Sequence, residues 1–163
     1  MKPVNLPSMM IRYVLVVMAL FTLAACASGP TRHEIHHECR LEMDAARTAV
    51  QLRNKGKDKM TMLRTLPPLQ QNSTRLLQQM YRIVDETYAV PGLSDLVFGI
   101  YRYEVCVRQL RHLPVPTDIN AVHSQLQSCQ TRFHRQVSKK LVNCVRAVFP
   151  PAAEKTSEKA NAG

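Results

Sequence analysis

His33-Glu34-Ile35-His36-His37 is the stretch whose residue types and spacing point most directly to chemistry. It spells H-E-x-x-H. On a helix His33 and His37 fall one turn apart on one face, where two imidazoles could hold zinc with Glu34 as general base. A zinc protease needs more. The extended pattern requires glycine where Arg40 stands and histidine where Met43 stands. The stretch also opens a helix, and no sheet edge is predicted that could hold a substrate. The expectation is a non-enzymatic protein. His33, His36 and His37 remain as a metal-binding cluster, against the plainer reading of an exposed polar cluster.

Other chemistry-bearing groups read more blandly. Met43, Met60, Met62 and Met80 could bind copper through thioether sulfur, but their helical spacing favours core filling. Tyr81, Tyr88, Tyr101 and Tyr103 are expected to pack rather than form a stacking platform. Two basic rows stand out. Arg102, Arg108 and Arg111 lie on one predicted helix, and Arg132, Arg135, Lys139, Lys140 and Arg146 on another. They could face anionic headgroups, each contributing about 1 kcal/mol near a charged surface. The alternative is a solvated face whose cations favour a helix C-terminus. Phosphate-cradling loops, nucleophile elbows and paired catalytic carboxylates are all missing, and the five glycines form no cluster.

The elements that would position these groups are helices. Ile35, Cys39, Met43, Ala46 and Val50 recur at spacings of three and four, predicting a helix over His33–Asn54. Thr31 and Glu34 could form its capping box, and Gly56 its stop. Asp58 is placed to cap a short helix bearing Met60, Leu63 and Leu66, which Pro67-Pro68 ends. A third helix fits Ser73–Ala89, broken at Pro91-Gly92. Ser94 or Asp95 would cap a fourth, reaching about Leu113. Its predicted buried seam is Leu93, Leu96, Ile100, Tyr103, Val107 and Leu110. Within it Gly99 costs some helix stability and suits close packing. Beyond Pro114 and Pro116, Thr117 or Asp118 would cap one long last helix over Ile119–Val148, with the stripe Ile119, Val122, Leu126, Cys129, Phe133, Val137, Leu141, Cys144 and Val148. No segment alternates with period two. The predicted fold is therefore an all-α compact bundle of four to five helices over residues 33–149. A tail at 150–163, low in hydrophobics, is expected to be disordered.

The N-terminus has a different character. Lys2 and Arg12 precede Tyr13–Thr22, an apolar run of ten residues. That suits the core of a signal peptide and falls short of the roughly 20 residues of a membrane span. Leu23-Ala24-Ala25-Cys26 follows. This stretch resembles the lipobox of bacterial lipoproteins, a resemblance confined to the leader and anchor. It implies that residues 1–25 are a signal peptide and that the Cys26 thiol receives diacylglycerol, its freed amine a further acyl chain. Ala27, rather than aspartate, implies delivery to the outer membrane, facing the periplasm. Residues 26–32 are then a lipidated tether, whose six residues after Cys26 reach at most about 20 Å. Ordinary cleavage at Ala25-Cys26-Ala27 is the competing reading. Of 22 Lys and Arg, only Lys2 and Arg12 precede Cys26, whereas all 12 acids follow it, so the chain from Cys26 onward carries +8. Such a charge favours phosphate-rich or acidic partners. Behind an anchor, lipid or protein is expected, not nucleic acid.

Lipidation of Cys26 leaves Cys39, Cys106, Cys129 and Cys144, an even set that reads as two disulfides in an exported domain. Three pairings are open. On one continuous helix Cys129 and Cys144 would sit about 22 Å apart, far beyond the reach of a bridge. By that argument Cys106–Cys129 with Cys39–Cys144 suits a hairpin around Pro114. The span Cys39–Cys106 also resembles a loosely defined set of small proteobacterial exported proteins. The shared features are Cys39, Arg53-Asn54-Lys55-Gly56, Val84 to Tyr88 with Pro91, and Tyr103-Glu104-Val105-Cys106. That resemblance implies Cys39–Cys106, leaving Cys129–Cys144 and a bend near Gln130–Arg135, and it is the favoured pairing.

The expected function is a binding or structural module for another envelope component, attached to the membrane through its lipid. No cofactor is expected besides the covalent lipid. A pilotin-like chaperone for a secretin, with a groove between amphipathic helices holding a partner helix, is the narrower alternative. A metal-binding envelope protein is the third.

Overall fold

The computed structural model describes residues 30–133 and 138–151. The leader, Cys26, Arg135 and the tail beyond residue 151 lie outside the described residues. Among the described residues six α-helices follow one another: α1 (Arg32–Asn54), α2 (Lys59–Arg64), α3 (Arg75–Ala89), α4 (Asp95–Leu110), α5 (His123–Arg132) and α6 (Lys139–Ala147). A single 3₁₀ turn, Ile119–Val122, leads into α5. Among the described residues every regular element is helical, and no helix is long and apolar enough to cross a membrane.

Caps set most boundaries. Asp58, Thr74, Ser94 and Ser138 each accept a hydrogen bond from the backbone N–H three residues on. These bonds satisfy donors that a helix start leaves unpaired. After α1 the chain turns at Gly56, whose φ of +82° suits glycine.

The expected last helix is not continuous. Asp118 caps the 3₁₀ turn through Asn120 N–H, α5 stops at Arg132, and α6 starts afresh behind Ser138. The reversal brings Cys129 and Cys144 to a Cα separation of 5.8 Å, and they are bridged. Cys39 and Cys106 form the second disulfide, with Cα atoms 5.3 Å apart. The pairing implied by the resemblance is the one present. An unbroken apolar stripe does not guarantee an unbroken helix, and Ser138 is a cap in mid-stripe.

Bridges and polar contacts give the directions. α1 and α4 run antiparallel: Cys39 meets Cys106, and Gln51 donates to Asp95 at 2.9 Å. α3 runs with α1, since Arg75 reaches Glu38 at its start while Arg53 reaches Thr87 and Val90 at its close. α6 runs with α4, since Arg146 meets Glu104 and Arg108 meets the Pro150 carbonyl. One end of the body therefore gathers the starts of α1 and α3 with the close of α4. The opposite end gathers the start of α4 and the close of α5, where Gln130 donates to the Gly92 carbonyl and accepts from Ser94 N–H.

α4 is the central helix. Its buried residues include Val97, Phe98, Ile100, Tyr101, Val105 and Cys106. Of the predicted seam Leu93 and Ile100 are buried, whereas Leu96, Tyr103, Val107 and Leu110 are only half-buried. A helix covered on several sides by α1, α3 and α6 has no single apolar stripe for periodicity to find. The main core adds Ile83, Leu93, Ile119, Leu126, Leu141, Val145 and Phe149. At Gly99 an added Cβ would lie 2.6 Å from Arg47 Cγ, so the α1–α4 approach depends on the missing side chain.

Candidate functional site

The histidine stretch occupies the first turns of α1. His33, His36 and His37 are exposed there. His36 Nδ1 and the Tyr103 hydroxyl share a hydrogen bond, and the two rings stack with centroids 6.2 Å apart. That contact draws His36 toward α4, off the face shared by His33 and His37. Among the described residues no group of three or more His, Cys, Asp or Glu side chains is placed to hold a metal ion.

Tyr103 is the centre of this end of the body. It packs with Val107 and Leu110 against Ile35 and the buried Cys39–Cys106 bridge. Partial burial and the nearby Glu104 raise the pKa of its hydroxyl, while Arg146, Arg111 and Arg40 pull it the other way. Arg146 is tied to Glu104 at 2.5 Å. Arg40 and Arg111 are exposed.

The two basic rows do not survive as rows. Arg102 is fully buried, so it cannot touch a headgroup. Its Nη2 donates to Glu42 at 3.0 Å and to Gln79 at 2.6 Å, and its Nη1 faces Glu86 at 3.3 Å. Glu42 is fully buried as well, and a second cation, Arg75 Nη1, lies 2.8 Å from its other oxygen. Arg75 also pairs with Glu38 at 2.5 Å. Burial raises the pKa of Glu86 more than Arg102 and Arg82 lower it. Arg108 is committed too: it donates twice to the Pro150 carbonyl and covers the Phe149 ring at 5.1 Å. Arg111 is the exposed remnant of that row. In the other row Arg132, Lys139 and Lys140 are exposed but sit at the opposite end.

Sequence reasoning missed this ionic core. Glu42 falls three residues after Cys39 and four before Ala46, a core position on the α1 stripe, and a carboxylate there calls for a buried partner. Arg53 was expected, with Lys55, to favour the negative end of α1 and formed part of a resemblance. In the fold it donates to the carbonyls of Thr87, Val90 and Leu93, while the Tyr88 hydroxyl donates to the Lys57 carbonyl. The shared stretches around Arg53 and Val84–Pro91 therefore meet, and their role is to close the α1–α3–α4 corner. Tyr81 donates to the Pro67 carbonyl and Tyr101 stacks on Phe149, so these tyrosines pack as expected. Met62 is buried and Met80 half-buried, whereas Met60 is 57% exposed and fills no core.

One cavity of about 240 Å³ opens between α1, α2 and α3. Ala45, Thr48, Leu52, Met62, Met80 and Val84 are among its walls, which are mainly apolar. Small residues on α1 leave the space, and methionines allow it to adapt. Compared with protein-family models, with curated proteins and with solved structures, the chain matches none.

Proposed function

We propose that this chain is an outer-membrane lipoprotein, held by acyl chains on Cys26, whose helical body binds another component of the cell envelope without catalysing a reaction. The observation that carries the reading is Leu23-Ala24-Ala25-Cys26 at the end of a basic, then apolar leader. Cysteine usage supports it: the four remaining cysteines are consumed in two disulfides, as suits an oxidising compartment. Several acyl chains, each buried methylene contributing about 0.8 kcal/mol, would hold the protein firmly.

The cavity between α1, α2 and α3 favours a helical partner, the pilotin-like version of this reading. An amphipathic helix buries its apolar residues in such a groove. The test has two parts. Mass spectrometry of the purified protein should show diacylglycerol on Cys26, and Cys26→Ser should leave the outer-membrane fraction. Crosslinking in intact cells should then capture an envelope protein, and Thr48→Trp, which fills the groove, should abolish the capture. A Cys26→Ser chain that stays in the outer membrane sinks the anchor. Capture indifferent to Thr48→Trp sinks the groove.

A further inference from the structure

We propose that the end of the body where α1 begins and α4 closes rests on an anionic phospholipid surface, with Arg40 and Arg111 meeting phosphate groups. His33, His37 and His112 lie at the same end, and both arginines act electrostatically on the Tyr103 hydroxyl. The proposal rests on the lipid-anchored reading for which end faces the bilayer.

Position is the first argument. The tether from Cys26 reaches at most about 20 Å before α1 starts. The opposite end is one helix length away. α1 spans 23 residues, or about 33 Å at 1.5 Å per residue. That exceeds a Debye length of about 8 Å several times over. Arg132, Lys139 and Lys140 are at that far end, so the anchor holds them away from the headgroups. Arg111 is at the near one, and Arg40 stands eight residues, about 12 Å, along α1 from its start.

Charge is the second argument. The near end keeps Arg40 and Arg111 exposed and pairs two of its acids internally. Glu38 is tied to Arg75, and Glu104 to Arg146. Among the described residues Glu34 and Asp44, the latter one turn beyond Arg40, are the exposed acids that partly offset the remaining cations. Arg111 caps α4, where a cation is favoured by the helix C-terminus as well. His112, with a φ of 55°, turns the chain away directly after it. Tyr103 adds a half-buried aromatic ring with a polar tip, the side-chain type enriched at membrane–water interfaces.

The test maps contact with lipid at the two ends. Protein purified from membranes is reconstituted into phosphatidylcholine vesicles, with and without a phosphatidylglycerol that carries a photoactivatable headgroup. After activation, labelled peptides are located by mass spectrometry. Label in the peptides holding Arg40 and Arg111 should exceed that in the peptide holding Lys139 and Lys140 at least tenfold. Arg40→Gln with Arg111→Gln should cut it at least fivefold, whereas Lys139→Gln with Lys140→Gln should leave it within twofold. All four positions are exposed, and circular dichroism verifies that each variant is folded. Equal labelling of both ends, or labelling indifferent to Arg40→Gln with Arg111→Gln, overturns the proposal. Failure of the anchor has a separate signature, the missing diacylglycerol mass on Cys26. The contrast between the two ends is then read from protein added to the vesicles at low salt.

Discussion

Arg102 shows how much one side chain can decide. It is a cation at the centre of an otherwise apolar core, held by Glu42, Gln79 and Glu86. Taking charges out of water is costly, and only the mutual pairing offsets it. Arg102→Met should therefore destabilise the protein by about 3–5 kcal/mol, since Glu42 and Glu86 would lose their shared partner. Arg75 stays beside Glu42, which places the loss toward the lower figure. Urea denaturation of parent and variant measures it. Glu86 carries a pH signature. Its pKa is raised by burial, so the folded chain binds this proton more readily than the unfolded one. Its favourable contribution is complete below the ordinary glutamate value and is lost as pH rises through the raised one. Glu86→Gln should remove that loss. The parent should weaken relative to the variant as pH rises from about 4.5 to 7, read from urea midpoints.

Elements raise different questions, because here the chain's own pattern was partly misleading. α1 to α4 were legible from spacing, caps and breakers, with boundaries within about three residues. The last helix was misread, since Ile119, Val122, Leu126, Cys129, Leu141 and Val145 are all buried but belong to three separate elements. The Cys129–Cys144 bridge pins the reversal. A closed loop of that length contributes about 3 kcal/mol by restricting the unfolded chain, and Cys39–Cys106, across 67 residues, about 4 kcal/mol. Replacing each pair with alanine should cost stability in that order, and peptide mapping under non-reducing conditions should recover these two bridges alone. Gly99 tests the α1–α4 contact. Alanine would gain about 1 kcal/mol of helix propensity, but its Cβ would meet Arg47 Cγ at 2.6 Å, and overpacking costs about 1–3 kcal/mol. Gly99→Ala should lower the melting temperature, and Arg47→Ala in the same chain should restore it.

At the scale of the whole molecule the relevant quantity is where charge lies relative to the proposed anchor. The chain carries +10 in total, yet net charge does not orient a protein. Burial removes Arg102 from the surface, ion pairs or carbonyls occupy Arg75, Arg108 and Arg146, and the exposed cations divide between two ends. Anchored as proposed, the body would meet a bilayer with one end only. Raising salt from about 50 to 500 mM should weaken contact of that end with anionic vesicles while leaving the acyl anchor in place, since screening acts on exposed charge and not on buried methylenes. Flotation with and without the anchor separates the two contributions.

What the chain determined by itself was local or compositional: helices from period and caps, an all-α fold from the lack of alternation, and paired cysteines from their parity. These depend on neighbours within a few residues. Tertiary structure alone decided the rest. Glu42 and Arg102 are 60 residues apart, and nothing in their local surroundings says that they meet. Arg102 and Arg111 look alike along the chain, yet one is in the core and the other in water, because α4 is enclosed along its middle and Arg111 is its exposed C-cap. The histidines kept their place at the start of α1. What they face was settled by Tyr103, brought to them by a bridge from Cys39 to Cys106.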